Sequence, residues 1–195
     1  MSKNINKIIK SCLKKNNFGS IIDLISHNYP NKIFIVFEQK KISFKNLNIK
    51  INQTCNYLNS LNLKKGDVLS LYLQNSIEFI ILYFACIRGG LIVSPIPYGV
   101  SDKQIDYYLE LSKSKIVISD KKINKIKKKN IIVENYNQFL VKINTFDTTF
   151  SPPKILGKNI CVYYFSSGTT ANPKLIKYSN QAMISCQKIL FKSKF

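Results

Sequence analysis

The sequence predicts an α/β fold: a mostly parallel sheet flanked by helices, wound through βαβ crossovers. Three observations point there. Strand-like and helix-like runs alternate from Asn46 to Asp120, an order that implies right-handed crossovers and parallel pairing. Glycine, proline and capping residues punctuate those runs at the positions where elements should end. At 195 residues, 45% hydrophobic and 12% aromatic, the chain carries enough apolar material for one sizeable core.

The elements follow in order. In "FGSIID", Ser20 is placed to cap a short helix. "NYPN" turns the chain, and "KIFIVFEQKKISF" reads as a hairpin with its polar turn at Glu38 to Lys41. The next segment sets Leu47, Ile51, Cys55 and Leu58, then Leu61 or Leu63, at helical spacing. Gly66 in "KKGD" suits the left-handed position that closes such a helix. "VLSLYL" is an apolar strand. "NSIEFIILYFACIRGG" is a helix opening at Asn75 or Ser76, with Glu78 in its first turn and Gly89-Gly90 at its end. "LIVSPIP" is a strand ended by Pro95 and Pro97. Ser101 and Gln104 form a capping-box pattern for a helix over "DKQIDYYLELS". "KIVISD" and "IIVEN" are strands on either side of a basic connection, Lys121 to Lys129. From Tyr136 to Lys158 the pattern fades into loop, with Pro152-Pro153 as its clearest mark. "NICVYYF" is a strand, "KLIKYS" a further strand, and "NQAMISCQKILF" a helix capped by Ser179 or Asn180.

The formal net charge of +20 raises nucleic acid or an anionic membrane as a partner. The quality of that charge argues against a nucleic-acid reader. Arg88 is the single arginine among 30 basic residues, whereas readers of bases and phosphates favour arginine's bidentate fork. Lysine is joined by abundant asparagine and isoleucine throughout, as compositional drift would produce, and nucleic acid is not the expected partner.

The longest apolar run, "FIILYFACI", has nine residues, too short to cross a bilayer and better read as a buried helix. The N-terminus is basic but has no sustained apolar stretch of the secretory kind. Five scattered cysteines and one histidine, His27, offer neither a C-x-x-C pair nor a zinc set. Free thiols in a reducing, cytoplasmic setting are the economical expectation. Cys86 and Cys161 sit in apolar runs and should be buried; His27 should lie at the surface.

The chemistry concentrates in "VYYFSSGTTANPKLIKYSN". Ser166, Ser167, Thr169 and Thr170 surround Gly168 between two strands. Such a bend can turn several backbone N–H groups toward one anion, with glycine permitting close approach and the hydroxyls adding donors. Lys174 supplies a mobile positive charge, and Pro173 stiffens its approach. A polyphosphate uses all of these groups, although an ordinary Ser/Thr-rich turn is the competing reading. The pattern is not G-x-x-x-x-G-K-[ST], because Pro173 stands where that motif needs glycine, and G-x-G-x-x-G is absent.

"YYFSSGTTANPK" resembles the signature of the adenylate-forming (AMP-binding) superfamily, whose usual form ends S/T-S-G-T-T-G-x-P-K-G-V. Tyr163, Ser166, Ser167, Gly168, Thr169, Thr170, Pro173 and Lys174 match. The upstream segments "KKGDVLSLYLQNSIEFIILYFACIRGGLIVSPIPYG" and "KIFIVFEQKKISFKNLN" resemble the family's earlier blocks, so nearly the whole chain is covered. The acyl-CoA synthetase branch matches the spacing best. The resemblance implies an incomplete N-terminal part of the family's large domain. Its portions would be a hairpin and helix at 30–64, an α/β core at 66–134 and a phosphate-loop segment at 159–195. It also implies activation of a carboxylate with ATP and Mg²⁺ to an acyl-adenylate, followed by transfer to a thiol, coenzyme A being the expected acceptor. Ser166, Ser167, Gly168, Thr169, Thr170 and Lys174 would hold the ATP phosphates. No catalytic residue and no metal ligand is assigned within these residues.

Three positions depart from the family pattern. Ala171 and Leu175 replace glycines, and Asn180 stands where a histidine is common, a position in which it would cap the next helix. The family's adenine, ribose and lysine motifs come later in its chains and cannot be placed here. The isolated chain is therefore not expected to complete the reaction, and should expose an unpaired sheet edge and an apolar patch. The remainder of the same enzyme would be its partner. A basic module that binds nucleic acid or anionic lipid without catalysis remains the alternative.

Overall fold

The computed structural model describes residues 11, 16–123, 126, 131–166 and 173–192, the last six by backbone alone. The predicted α/β class is the one observed. Six strands form one sheet: β3 (Val68–Tyr72), β4 (Ile92–Pro95), β5 (Ile116–Ser119), β6 (Ile132–Asn135), β7 (Ile160–Phe165) and β8 (Leu175–Ser179). Their spatial order is β6-β5-β3-β4-β7-β8. All neighbours run parallel except β7 and β8, which are antiparallel. A separate two-stranded hairpin, β1 (Ile33–Phe37) with β2 (Lys40–Ser43), precedes the sheet.

The central strands explain the two-layer cover. All five residues of β3 are buried. Leu69 and Leu71 enter the main core, while Tyr72 enters a second cluster on the opposite face; Ile116 and Ile118 of β5 part from Val117 in the same way. The two-residue period sends alternate side chains to opposite faces, so a strand covered on both reads as a continuous apolar run. On the main face lie α2 (Phe44–Ser60) and α3 (Ile77–Arg88), with Leu47, Ile51, Cys55, Leu82 and Cys86 at their contact. On the other face lies α4 (Asp102–Ser112), contributing Ile105, Tyr108 and Leu109. Its capping box is present as the sequence indicated, and Ser76 caps α3 by accepting from the Phe79 N–H.

Several boundaries differ from expectation. Helix α2 stops at Ser60, and the left-handed residue just past its end is Asn62 (φ 56°) rather than Gly66. Gly66 is also left-handed (φ 87°), but in the following turn, where the Asp67 N–H donates to the Lys64 carbonyl. The hairpin turn shrinks to Glu38-Gln39, because Lys40 and Lys41 pair with Phe37 and Val36. Ser20 precedes α1 (Ile21–Asn28) but makes no side-chain capping bond, the entry being a 3₁₀ turn over Phe18–Ser20. The segment read as loop after β6 contains another helix, α5 (Tyr136–Ile143), capped by Asn135. Phe139 and Ile143 are buried, with the Phe139 ring 5.5 Å from Tyr57 on α2.

Helix α6 (Asn180–Lys192) follows β8. Ser179 caps it, accepting from the Ala182 N–H at 3.2 Å. Asn180 is instead buried: its Oδ1 accepts from the Phe18 N–H at 2.8 Å and its Nδ2 donates to the Asn159 carbonyl at 3.2 Å. Cys55, Cys86 and Cys161 are buried free thiols, Cys186 is exposed, and His27 is exposed. Both outer strands of the sheet show apolar side chains to solvent, Ile132 and Val133 on β6 and Ile176 on β8. Among the described residues, no helix is long and apolar enough to cross a membrane.

Candidate active site

The hydroxyl-rich segment connects two paired strands, so its position is dictated by the sheet. Strand β7 enters beside β4, Val162 opposite Val93. The chain then returns as β8, with Phe165 opposite Leu175. The connection therefore leaves from the carboxyl end of β7, the same edge at which β3, β4 and β5 end. At that edge β3 leads into α3 on one face and β4 into α4 on the other. Strand ends whose connections part to opposite faces leave a crevice, the usual place for a ligand in sheets of this type.

Two of the six residues singled out by the sequence are described, and they face each other across the neck of the connection. The Ser166 N–H donates to the Lys174 carbonyl at 2.9 Å, and the Lys174 N–H donates to the Ser166 hydroxyl at 3.0 Å. These two bonds extend the β7–β8 ladder by one step and fix where the loop begins and ends. The Lys174 side chain is exposed and Ser166 half-buried. Ser167, Gly168, Thr169 and Thr170 lie outside the described residues, as does Ala171.

A brace that the sequence did not reveal holds this neck. The Tyr107 hydroxyl donates to the Pro173 carbonyl at 3.2 Å. The neighbouring Tyr108 ring lies 4.4 Å from that of Phe165, the residue before Ser166. Both tyrosines come from α4, so one helix grips both sides of the loop entrance. The only sequence signal was the tandem tyrosine in "DYYLEL", which periodicity alone reads as one core and one surface residue.

The departures from the family pattern can now be placed. Leu175 occupies an ordinary strand position opposite Phe165, and is not among the residues with positive φ. It therefore needs no glycine-like conformation. Burial pushes the Tyr163 phenol up, and the Lys177 ammonium sits 5.9 Å from its ring on the adjacent strand. Beyond the ends of the parallel strands, Lys121 rests over the Tyr98 ring at 4.4 Å, so a second exposed cation lies just past β5. No three His, Cys, Asp or Glu side chains converge to hold a metal among the described residues.

Comparison with known proteins decides the family. The profile of the AMP-binding enzyme family matches residues 24–193. The chain belongs to the AMP-binding enzyme family.

Among curated relatives, it is 21% identical to tyrocidine synthase 2 of Brevibacillus parabrevis over 172 residues, 87% of this chain but 5% of that protein. It is 29% identical to a crotonobetaine/carnitine–CoA ligase of Salmonella paratyphi A over 108 residues, 53% of this chain and 21% of that one. Among solved structures, the N-terminal subdomain of Klebsiella oxytoca NpsA superposes with a TM-score of 0.76 at 20% identity, covering 86% of this chain and 43% of the other. The N-terminal domain of FACL13 from Mycobacterium tuberculosis gives 0.78 at 19% identity, covering 84% and 44%. The chain thus spans at most about a fifth of these curated relatives and less than half of these solved chains, and the structural likeness speaks to fold.

Proposed function

We propose that this chain is the nucleotide-phosphate-binding part of a ligase that activates a carboxylic acid with ATP. The observation that carries the proposal is the Ser166–Lys174 neck, closed by two backbone-anchored bonds at the carboxyl edge of the sheet, within a chain that belongs to the AMP-binding family. In this reaction a carboxylate oxygen attacks the α-phosphorus of ATP. An acyl–phosphate bond forms, the bond to the β-phosphate breaks, and pyrophosphate leaves. The role of Ser166, Ser167, Gly168, Thr169, Thr170 and Lys174 is to hold the β- and γ-phosphates. Lys174 and the loop's donors would stabilise the charge that grows on the departing pyrophosphate. Mg²⁺ would arrive on the triphosphate; among the described residues no three His, Cys, Asp or Glu side chains converge to hold it. The thiol of coenzyme A would then attack the acyl carbon, forming the thioester as the acyl–phosphate bond breaks and AMP leaves; the CoA ligases among the relatives support that acceptor.

The test separates binding from turnover. The 195-residue chain should bind Mg-pyrophosphate or Mg-ATP by calorimetry without catalysing exchange of labelled pyrophosphate into ATP. Lys174→Ala should weaken that binding about tenfold or more, as loss of one charge-assisted phosphate contact does, with an unchanged melting temperature. Equal affinity in the variant would remove Lys174 from its assigned role.

A further inference from the structure

The hairpin that precedes the sheet has one face the core does not use. Ile35, Phe37 and Ile42 turn inward and pack on the main cluster. The other face presents Val36 at 61% exposure, Ile33 at 46% and Phe34 at 41%, three apolar residues within a five-residue strand. Phe34 is held in place, its ring 4.6 Å from Phe44. Near these side chains stand three exposed lysines, Lys32, Lys41 and Lys45, with Glu38 as the sole acid between positions 32 and 45; Lys40, paired with the inward-facing Phe37, belongs to the other face. Lys41 is directly opposite Val36 on the neighbouring strand, so charge and apolar surface alternate on one face.

We infer that this face is a docking surface for a bilayer carrying anionic headgroups. The apolar tips of Ile33, Phe34 and Val36 enter the headgroup–acyl boundary, and the three lysines lie at the level of the phosphates and carboxylates. Charge complementarity selects this occupant. An apolar patch alone would suit many proteins, but one flanked by exposed lysines, with Lys41 directly opposite Val36, suits a surface that is both apolar and negative. Lysine also serves a diffuse anionic surface as a point charge, where base readout would favour arginine. The contact is peripheral, in keeping with a chain that among its described residues has no spanning helix.

A protein of this charge will adsorb to any anionic vesicle, so the experiment must report on the hairpin itself. The chain contains no tryptophan, and Val36→Trp therefore places a single fluorophore on the proposed face. Ile176→Trp places one at an exposed site on β8 as the control. With vesicles of phosphatidylcholine plus phosphatidylserine, emission from the position-36 variant should move to shorter wavelength and be quenched by brominated acyl chains. Phosphatidylcholine alone should do neither, and the position-176 variant should stay unshifted. Lys41→Glu should lower partitioning by about fivefold per unit of charge, and Val36→Ser should lower it with the charge unchanged. No shift at position 36, equal shifts at both positions, or a shift at 36 produced by an RNA homopolymer instead of vesicles would each overturn the inference.

Discussion

Arg88, the last residue of α3, donates from Nη1 to the Oδ1 of Asn52 on α2 at 2.5 Å. The same nitrogen donates to Asn48 Oδ1 at 2.8 Å, and Nε donates to the Gly19 carbonyl at 3.1 Å. Arg88 is 1% exposed, and it is the single arginine in a chain that otherwise uses lysine. Its position accounts for that exception. Three acceptors on two segments, α2 and the 3₁₀ turn before α1, need a planar fork with diverging donors, and a guanidinium keeps its charge where desolvation pulls its pKa down. Arg88→Lys should therefore be strongly destabilising, by about 3–5 kcal/mol, because one buried ammonium cannot reach all three acceptors. Urea denaturation of the two proteins measures this directly. A loss under about 1 kcal/mol would mean that the fork is dispensable.

The same junction constrains Gly19. A Cβ built there would lie 2.3 Å from the Arg88 nitrogen and 2.7 Å from its Cα, both backbone atoms in a helix that cannot easily move. Gly19→Ala must push the 3₁₀ turn off α3, separating the Gly19 carbonyl from the guanidinium. The expected cost is about 1–3 kcal/mol or more, as for other overpacked sites. It should be less than additive with Arg88→Lys, since both break one contact.

Alkaline pH should unfold the chain before acid does anything comparable through these groups. Burial pushes the Cys55 thiol up to about 12 against a smaller opposing pull from Arg88, and burial pushes Cys161 up to about 12 as well. Each folded-state pKa lies above the unfolded value, so the stabilisation is complete below about pH 9 and is lost as pH rises from there toward 12. Melting temperature should fall through that window. Cys55→Ala with Cys161→Ala should flatten the fall while lowering stability at neutral pH. In the native state at pH 8, iodoacetamide should label Cys186 ahead of Cys55, Cys86 and Cys161, as peptide mapping would reveal.

Legibility in the sequence followed the range of the forces involved. The helices from α2 to α4 and the strands between them were readable because their signals are local: apolar spacing, Ser76 and the Ser101–Gln104 box, and the glycines after Arg88. Helix α5 escaped because eight residues carry little intrinsic helical preference. It exists by setting Phe139 and Ile143 against α2, a contact made about eighty residues away in the chain. Gly66 was misplaced for a related reason, since Asn62 tolerates the left-handed conformation nearly as well and lies where α2's packing ends. At the site, the run of small hydroxyls before Lys174 was a local signal. The hydroxyl of Tyr107 on the Pro173 carbonyl was not, since it joins residues 66 apart.

Tyr107 gives a prediction about that brace. Tyr107→Phe removes one hydroxyl from a half-buried ring and should change stability by about 1 kcal/mol or less. Its effect on Mg-pyrophosphate affinity should be larger in proportion, because the loop's entrance loses its anchor on α4. Calorimetry on the variant should show weaker binding with a more unfavourable entropy. A structural role confined to α4 would shift melting temperature and leave binding as it was.

Asn180 was expected to cap a helix, and its actual bonds make a sharper prediction. Its amide joins the Phe18 N–H before α1 to the Asn159 carbonyl before β7, tying the entry to α1 to the strand that leads to Ser166. Asn180→Ala leaves a buried donor and a buried acceptor, each without this partner, and should cost about 2–4 kcal/mol. Capping is left to Ser179, so helicity should not change. The discriminating measurement is amide exchange: protection at Phe18 should fall well beyond the change in global stability, while the amides of α2 and α3 follow the global value. If Phe18 exchanged in step with the rest, the bond would be incidental and the penalty would come from the cavity alone.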